Sequence, residues 1–122
     1  VDVRAMRDPT RGGVAGTLTE WAGTKLNITL EEDSLPVRAD VRAACAILGI
    51  DPIYVANEGV ALFSLPAEQA NLALAALQKA GCQEAAIIGS IANGHGSVFA
   101  KTHIGTFRRV FPPTGGLLPR IC

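Results

Sequence analysis

The chain has 122 residues, in which 11 Lys plus Arg balance 11 Asp plus Glu, so there is no formal net charge. Hydrophobic residues make up 48% and charged residues 18%, a mixture that excludes a disordered chain and allows one domain with a true core. The zero balance excludes a global pull toward nucleic acid or an anionic membrane, and no apolar run approaches the roughly 20 residues that span a bilayer.

Arg7-Asp8-Pro9-Thr10-Arg11 leads into Gly12-Gly13, and a helix is predicted from there, with Val14, Leu18, Trp21 and Ala22 on one face. Asn27 to Glu31 alternates, with Ile28 and Leu30 on one side, and reads as a strand. Asp33-Ser34-Leu35-Pro36 reads as a turn and helix start. Val37 to Leu48 reads as a helix stopped by Gly49, with Pro52 beyond it. Ile53 to Ala56 and Val60 to Phe63 are short apolar runs that read as strands, with Asn57-Glu58-Gly59 between them. Pro66 opens an Ala/Leu-rich helix over Glu68 to Ala80, closed by Gly81. Residues 85–92 read as a strand, Asn93-Gly94-His95-Gly96 as a hairpin turn, and Ser97 to Lys101 and Ile104 to Phe111 as the last strands.

The order α-β-α-β-β-α-β-β-β predicts an α+β domain over residues 1–111, with helices packed on a mixed, mostly antiparallel sheet. From Pro112 to Cys122 three prolines and two glycines fall in eleven residues, which excludes helix and central strand. This stretch, 112–122, reads as an extended tail with a reach of roughly 35 Å. The chain opens on Val1-Asp2 without an initiator Met or a visible signal peptide, and reads as part of a longer protein.

Two segments have a pattern suited to chemistry. The Arg7–Gly13 stretch stands just before a helix. Backbone N–H groups there bind anions, glycines let a phosphate approach, and Arg7 and Arg11 add charge-assisted donors. An ordinary capped helix, with Asp8 or Thr10 at the N-cap, accounts for the same residues, and the stretch is not a Walker A sequence. In Ala56-Asn57-Glu58-Gly59 a carboxylate lies between apolar runs, where it can act as a base; a solvated turn has the same composition.

The cysteines are Cys45, Cys82 and Cys122. An odd and widely spaced set is neither a disulfide framework nor a zinc site, and suits a reducing cytoplasm. Cys45 and Cys82 read as small buried or half-buried hydrophobes. His95 and His103 have no Cys or carboxylate at ligand spacing, so no metal site is expected of them. Cys122 ends a Pro/Gly arm. It reads either as a frayed end or as a thiol carried between sites, its pKa raised by the terminal carboxylate and partly lowered by Arg120.

Taken together, Met6-Arg7-Asp8-Pro9-Thr10-Arg11-Gly12-Gly13-Val14-Ala15, Ala56-Asn57-Glu58-Gly59 and Pro119-Arg120-Ile121-Cys122 resemble the C-terminal domain of the HypE family. These are the carbamoyl dehydratases of nickel–iron hydrogenase maturation, in the superfamily of aminoimidazole ribonucleotide (AIR) synthetase and selenophosphate synthetase. The first segment is common to the superfamily, and the Pro-Arg-Ile-Cys ending is the specific part. The resemblance implies an AIR synthetase C-terminal-domain-like fold in a homodimeric enzyme that uses ATP and Mg2+. It implies that Cys122 receives a carbamoyl group from HypF, that ATP drives its conversion to a thiocyanate, and that the cyano group passes to the HypC–HypD complex. Glu58 is then the candidate base. Arg7, Asp8, Thr10, Arg11, Gly12 and Gly13 are the candidate nucleotide-binding residues. An N-terminal domain holding most nucleotide and Mg2+ ligands and the dimer interface is implied outside this sequence, so this chain alone is expected not to turn over ATP. Two other readings remain: a superfamily member acting on a small molecule, and a non-catalytic module whose tail a partner binds as an extended peptide.

Overall fold

The computed structural model describes residues 1–113. In chain order it forms β1 (Ala5–Arg7), α1 (Gly13–Ala22), β2 (Leu26–Glu31), α2 (Ala39–Leu48), β3 (Leu62–Ser64), α3 (Ala70–Lys79), β4 (Gly89–Asn93), β5 (Val98–Lys101) and β6 (Phe107–Val110). Short 3-10 helices lie at Glu32–Ser34, Pro52–Tyr54 and Ala67–Gln69. The main sheet has four strands in the order β4-β2-β5-β6, and β1 and β3 form a separate antiparallel pair. Within the main sheet β2 and β5 run parallel, and the β2–β4 and β5–β6 pairs are antiparallel. The fold is therefore α+β with a mixed, mostly antiparallel sheet, as its element pattern predicts.

The core forms where α1 lies on this sheet. Val14, Leu18 and Ala22 recur at helical spacing and are buried against Ile28, Leu30, Val98, Ala100 and Val110. The β2 alternation buries Ile28 and Leu30 and leaves Thr29 half-buried on the other face. Leu62 of β3 and Ile53 complete the same cluster. The other helices are held more loosely. α2 buries Cys45 alone, and α3 buries no residue. Ile47 (85% exposed) and Leu72 (64%) stand in solvent on these two helices.

Four sequence expectations change. Ile53–Ala56 is not a strand: Pro52–Tyr54 forms a 3-10 helix, started by the Asp51 carboxylate accepting from the Ile53 N–H at 3.2 Å with Pro52 in the first turn. β1 escaped sequence reading because it is three residues long and exists only through its pairing with β3. The last strands start later than expected, at Gly89 and at Phe107. Finally, Asn93–Gly96 is not a hairpin turn, because β4 and β5 do not pair; both flank β2. The hairpin turn of this region instead joins β5 to β6, closed by Thr102 N–H to the Thr106 carbonyl at 2.7 Å.

The 94–97 connection passes around the start of β2. The Asn27 side-chain oxygen accepts from the His95 and Ser97 N–H groups, both at 3.1 Å, and the Gly94 and Gly96 N–H groups donate to the Lys25 and Leu26 carbonyls. One amide thus satisfies two donors that no strand ladder reaches. Asn27→Ala is expected to cost about 2 kcal/mol, since it orphans two N–H groups of which one is part-buried. The midpoint of urea unfolding checks this, and an unchanged midpoint would show the connection to be held by backbone bonds alone.

Arg108 of β6 ties both neighbouring 3-10 helices to the sheet. It pairs with Glu32, and its Nη2 lies 2.8 Å from Asp51. Burial lowers the pKa of this guanidinium, but its hydrogen bond to Glu32 and the charge of Asp51 more than offset that, and the net shift is upward. Asp51 therefore has two tasks, capping Pro52–Tyr54 and anchoring it to β6.

Candidate functional site

The two chemistry-bearing segments, far apart in sequence, meet at the start of α1. β1 delivers Arg7 through its pairing with Leu62, and the chain then turns at Asp8-Pro9, with the Thr10 N–H donating to the Asp8 carbonyl at 3.0 Å. Pro9 is fully buried. Its carbonyl accepts from the Asn57 N–H at 2.9 Å, which fixes the exposed Asn57-Glu58-Gly59 loop beside Asp8 to Arg11. Gly12 is the N-cap of α1, in the left-handed region (φ 71°, ψ 7°), and no side chain among the described residues caps the helix. Neither Asp8 nor Thr10 takes the cap position. The first turn of α1 therefore presents backbone N–H groups without a side-chain cap from the described residues, at the positive end of the helix dipole.

The glycines have an additional role. Gly13 has φ 63°, and a Cβ there would lie 2.6 Å from the carbonyl oxygens of both Ile53 and Val55. Gly12 and Gly16, one turn apart, form a saddle that receives Pro113: a Cβ on Gly12 would lie 2.5 Å from the Pro113 ring, and one on Gly16 would lie 2.8 Å from the Arg11 carbonyl. The Cβ sides of Gly12 and Gly13 are thus filled by the chain itself. A phosphate reaching this corner meets backbone N–H groups and exposed side chains, not a hollow between glycines. Gly13→Ala is expected to cost about 2–4 kcal/mol, from left-handed strain plus overlap with two backbone oxygens. Equilibrium denaturation measures it; a loss under about 0.5 kcal/mol would mean that the 3-10 helix yields freely.

Other site residues fall as follows. Arg7 forms an ion pair with Glu20 on the flank of α1, and this hydrogen bond and charge hold its guanidinium pKa above the ordinary range. Asp8, Arg11 and Glu58 are exposed, and Thr10 is half-buried. Cys122 lies outside the described residues, as does all of the predicted tail after Pro113. Cys45 is buried, but Cys82 is exposed, against the expectation of a half-buried hydrophobe, because α3 buries nothing beside it. His95 is exposed, and His103 Nδ1 lies 3.4 Å from Asp33 at the surface. Among the described residues no three His, Cys, Asp or Glu side chains come together as a metal site, and no helix is long and apolar enough to cross a membrane.

Sequence reasoning missed Tyr54. Its hydroxyl donates to the Phe111 carbonyl at 2.9 Å, just before Pro113 enters the glycine saddle. The i, i+4 spacing of Gly12 and Gly16 was the available signal for that saddle.

The family described as AIR synthase related protein, C-terminal domain, matches residues 1–101. The carbamoyl dehydratase HypE of Azotobacter vinelandii is 46% identical over 124 residues, covering 99% of this chain and 36% of that protein. A solved hydrogenase maturation protein HypE in complex with ATP superposes with a TM-score of 0.88 at 41% identity, over 99% of this chain and 38% of that one. A solved HypE–HypF complex gives a TM-score of 0.84 at 36% identity, over 91% of this chain and 37% of that one. The chain thus spans about a third of the length of the curated relatives it matches.

Proposed function

The chain belongs to the AIR synthase related protein family, as its C-terminal domain, and from that premise we propose that it is the C-terminal domain of a HypE-type carbamoyl dehydratase. The observation that carries this reading is the hydrogen bond from Asn57 to Pro9, which joins the Glu58 loop to the uncapped start of α1, with the chain leading to Cys122 rooted on the same glycines.

In this reading the Cys122 thiol accepts a carbamoyl group from HypF, giving a thiocarbamate, S–C(=O)–NH2. ATP supplies a phosphoryl group to the carbonyl oxygen, which turns a poor leaving group into a good one. The nitrogen gives up one proton to water as the O-phosphorylated intermediate S–C(OPO3)=NH and ADP form; Glu58 takes the second as the C–O bond breaks, phosphate leaves, and a nitrile remains on sulfur. The α1 N–H groups and Arg11 stabilise the developing phosphate charge, while Arg7 is held by Glu20 on the flank of α1 and would have to leave that pair to join them. The nitrile then passes from sulfur to the HypC–HypD complex. Asp8 and Glu58 are too few to hold Mg2+ alone, and since this chain spans 36% of its relative we assign most metal and nucleotide ligands, and the homodimer interface, to the rest of such a protein. The domain proper is residues 1–111, and this chain alone does not turn over ATP. A cytoplasmic setting goes with a thiol that must stay reduced.

Intact-protein mass spectrometry of the full-length protein tests this. With the carbamoyl donor system Cys122 should gain one carbamoyl group, and added ATP should remove one water from it. Absence of the adduct under conditions where the donor is active would refute the carrier role and favour a small-molecule member of the superfamily.

A further inference from the structure

We infer that Tyr54 is a positioning residue for the reaction, one that fixes where the Cys122 arm begins; this rests on the proposed function. Val110 is the last residue of β6, yet the next three residues are not loose. The Tyr54 hydroxyl holds the Phe111 carbonyl at 2.9 Å, and Pro113 fits the saddle of Gly12 and Gly16. The Tyr54 ring packs on the core cluster, and its 3-10 helix is locked to Gly13 on one side and through Asp51 to Arg108 on the other. The arm therefore starts from the same rigid corner that presents Glu58 and the start of α1.

The consequence is geometric. Measured from Pro113, nine residues (114–122) separate the anchor from the thiol, a span of at most about 30 Å. Without the anchor the arm starts at Val110, and twelve residues (111–122) span about 40 Å. The thiol's effective concentration at the site falls as the span lengthens. Tyr54 touches chain and not nucleotide, so its loss changes the rate of dehydration and leaves the KM for ATP alone.

The experiment uses the full-length protein, with Tyr54→Phe, Pro113→Gly and the pair combined. Tyr54→Phe keeps the packed ring and removes the hydroxyl alone. The unfolding equilibrium constant, read from urea denaturation, should rise about threefold to tenfold, the worth of one net hydrogen bond. In the combined variant the rate constant for dehydrating carbamoylated Cys122 should fall about twofold to fivefold at unchanged KM for ATP. Deleting Thr114-Gly115-Gly116 supplies the decisive comparison. In the combined variant the deletion restores a nine-residue arm and should recover the rate, whereas in the anchored protein it leaves six residues and should lower it. A merely structural tyrosine would not be rescued by shortening the tail. An unchanged unfolding equilibrium in Tyr54→Phe, unchanged dehydration in the combined variant, or failure of the deletion to rescue each overturns the inference. A wild-type protein that forms the adduct but never dehydrates it overturns the proposed function itself, while a raised unfolding constant in Tyr54→Phe would still report a pinned root.

Discussion

Cys122→Ala should leave the full-length protein with no carbamoyl adduct and turnover at least about 1,000-fold below wild type, because in the proposed function the substrate is built on that sulfur. Cys122→Ser should fare little better, since a hydroxyl is a far weaker nucleophile than a thiol at neutral pH. The structure supplies an internal control: Cys82 is an exposed free thiol on the same chain, and Cys45 is a buried one. If the donor merely modified accessible thiols, Cys82 would be labelled in the Cys122→Ala variant. Peptide mass spectrometry should find Cys82 unmodified, and substantial carbamoylation there would remove the reason for assigning the carrier role to Cys122.

Glu58→Gln should separate the two halves of the reaction. Carbamoylation of Cys122 should proceed, but dehydration with ATP should slow by about 100-fold to 10,000-fold, the range for losing a positioned general base. The replacement is nearly isosteric. The loop is held by the Asn57 N–H on the Pro9 carbonyl, a bond Glu58 takes no part in, so its position is preserved. Single-turnover loss of water from the adduct is the measurement. A normal rate would move the base to another group, with Asp8, on the other side of the Asn57–Pro9 bond, the next to replace.

Much of this was legible in the sequence where the decisive forces are local or periodic. The Val14, Leu18 and Ala22 spacing gave α1 and its buried face, and the Ile28 and Leu30 alternation gave β2. The two site segments were singled out from residue type, but nothing local says that they touch. Their contact is one backbone bond between Asn57 and Pro9, invisible to composition. Failures cluster where a short run admits two conformations. Ile53-Tyr54-Val55-Ala56 is apolar enough for a strand, and Asp51 with Pro52 tips its first half into a 3-10 helix. Asn93-Gly94 has hairpin chemistry, but Asn27 captures the following N–H groups from far along the chain. The glycines of the first segment were read as room for a phosphate, whereas the room beside Gly12 and Gly13 is taken by Pro113 and by the 53–55 backbone. A sequence shows that a side chain is missing but not what fills its place.

The placement of β2 between β4 and β5 also constrains the order of assembly. β4 and β5 are close neighbours in the chain, and left alone they would find each other first, because closing four residues takes far less time than bringing in a strand from a distance. The native sheet requires the opposite: Asn27 and Ser97, bonded across a separation of 70 residues, must meet before the 94–97 connection closes. Any such pairing of β4 with β5 has to reopen, and folding of this domain should be slowed by the insertion of β2 between them.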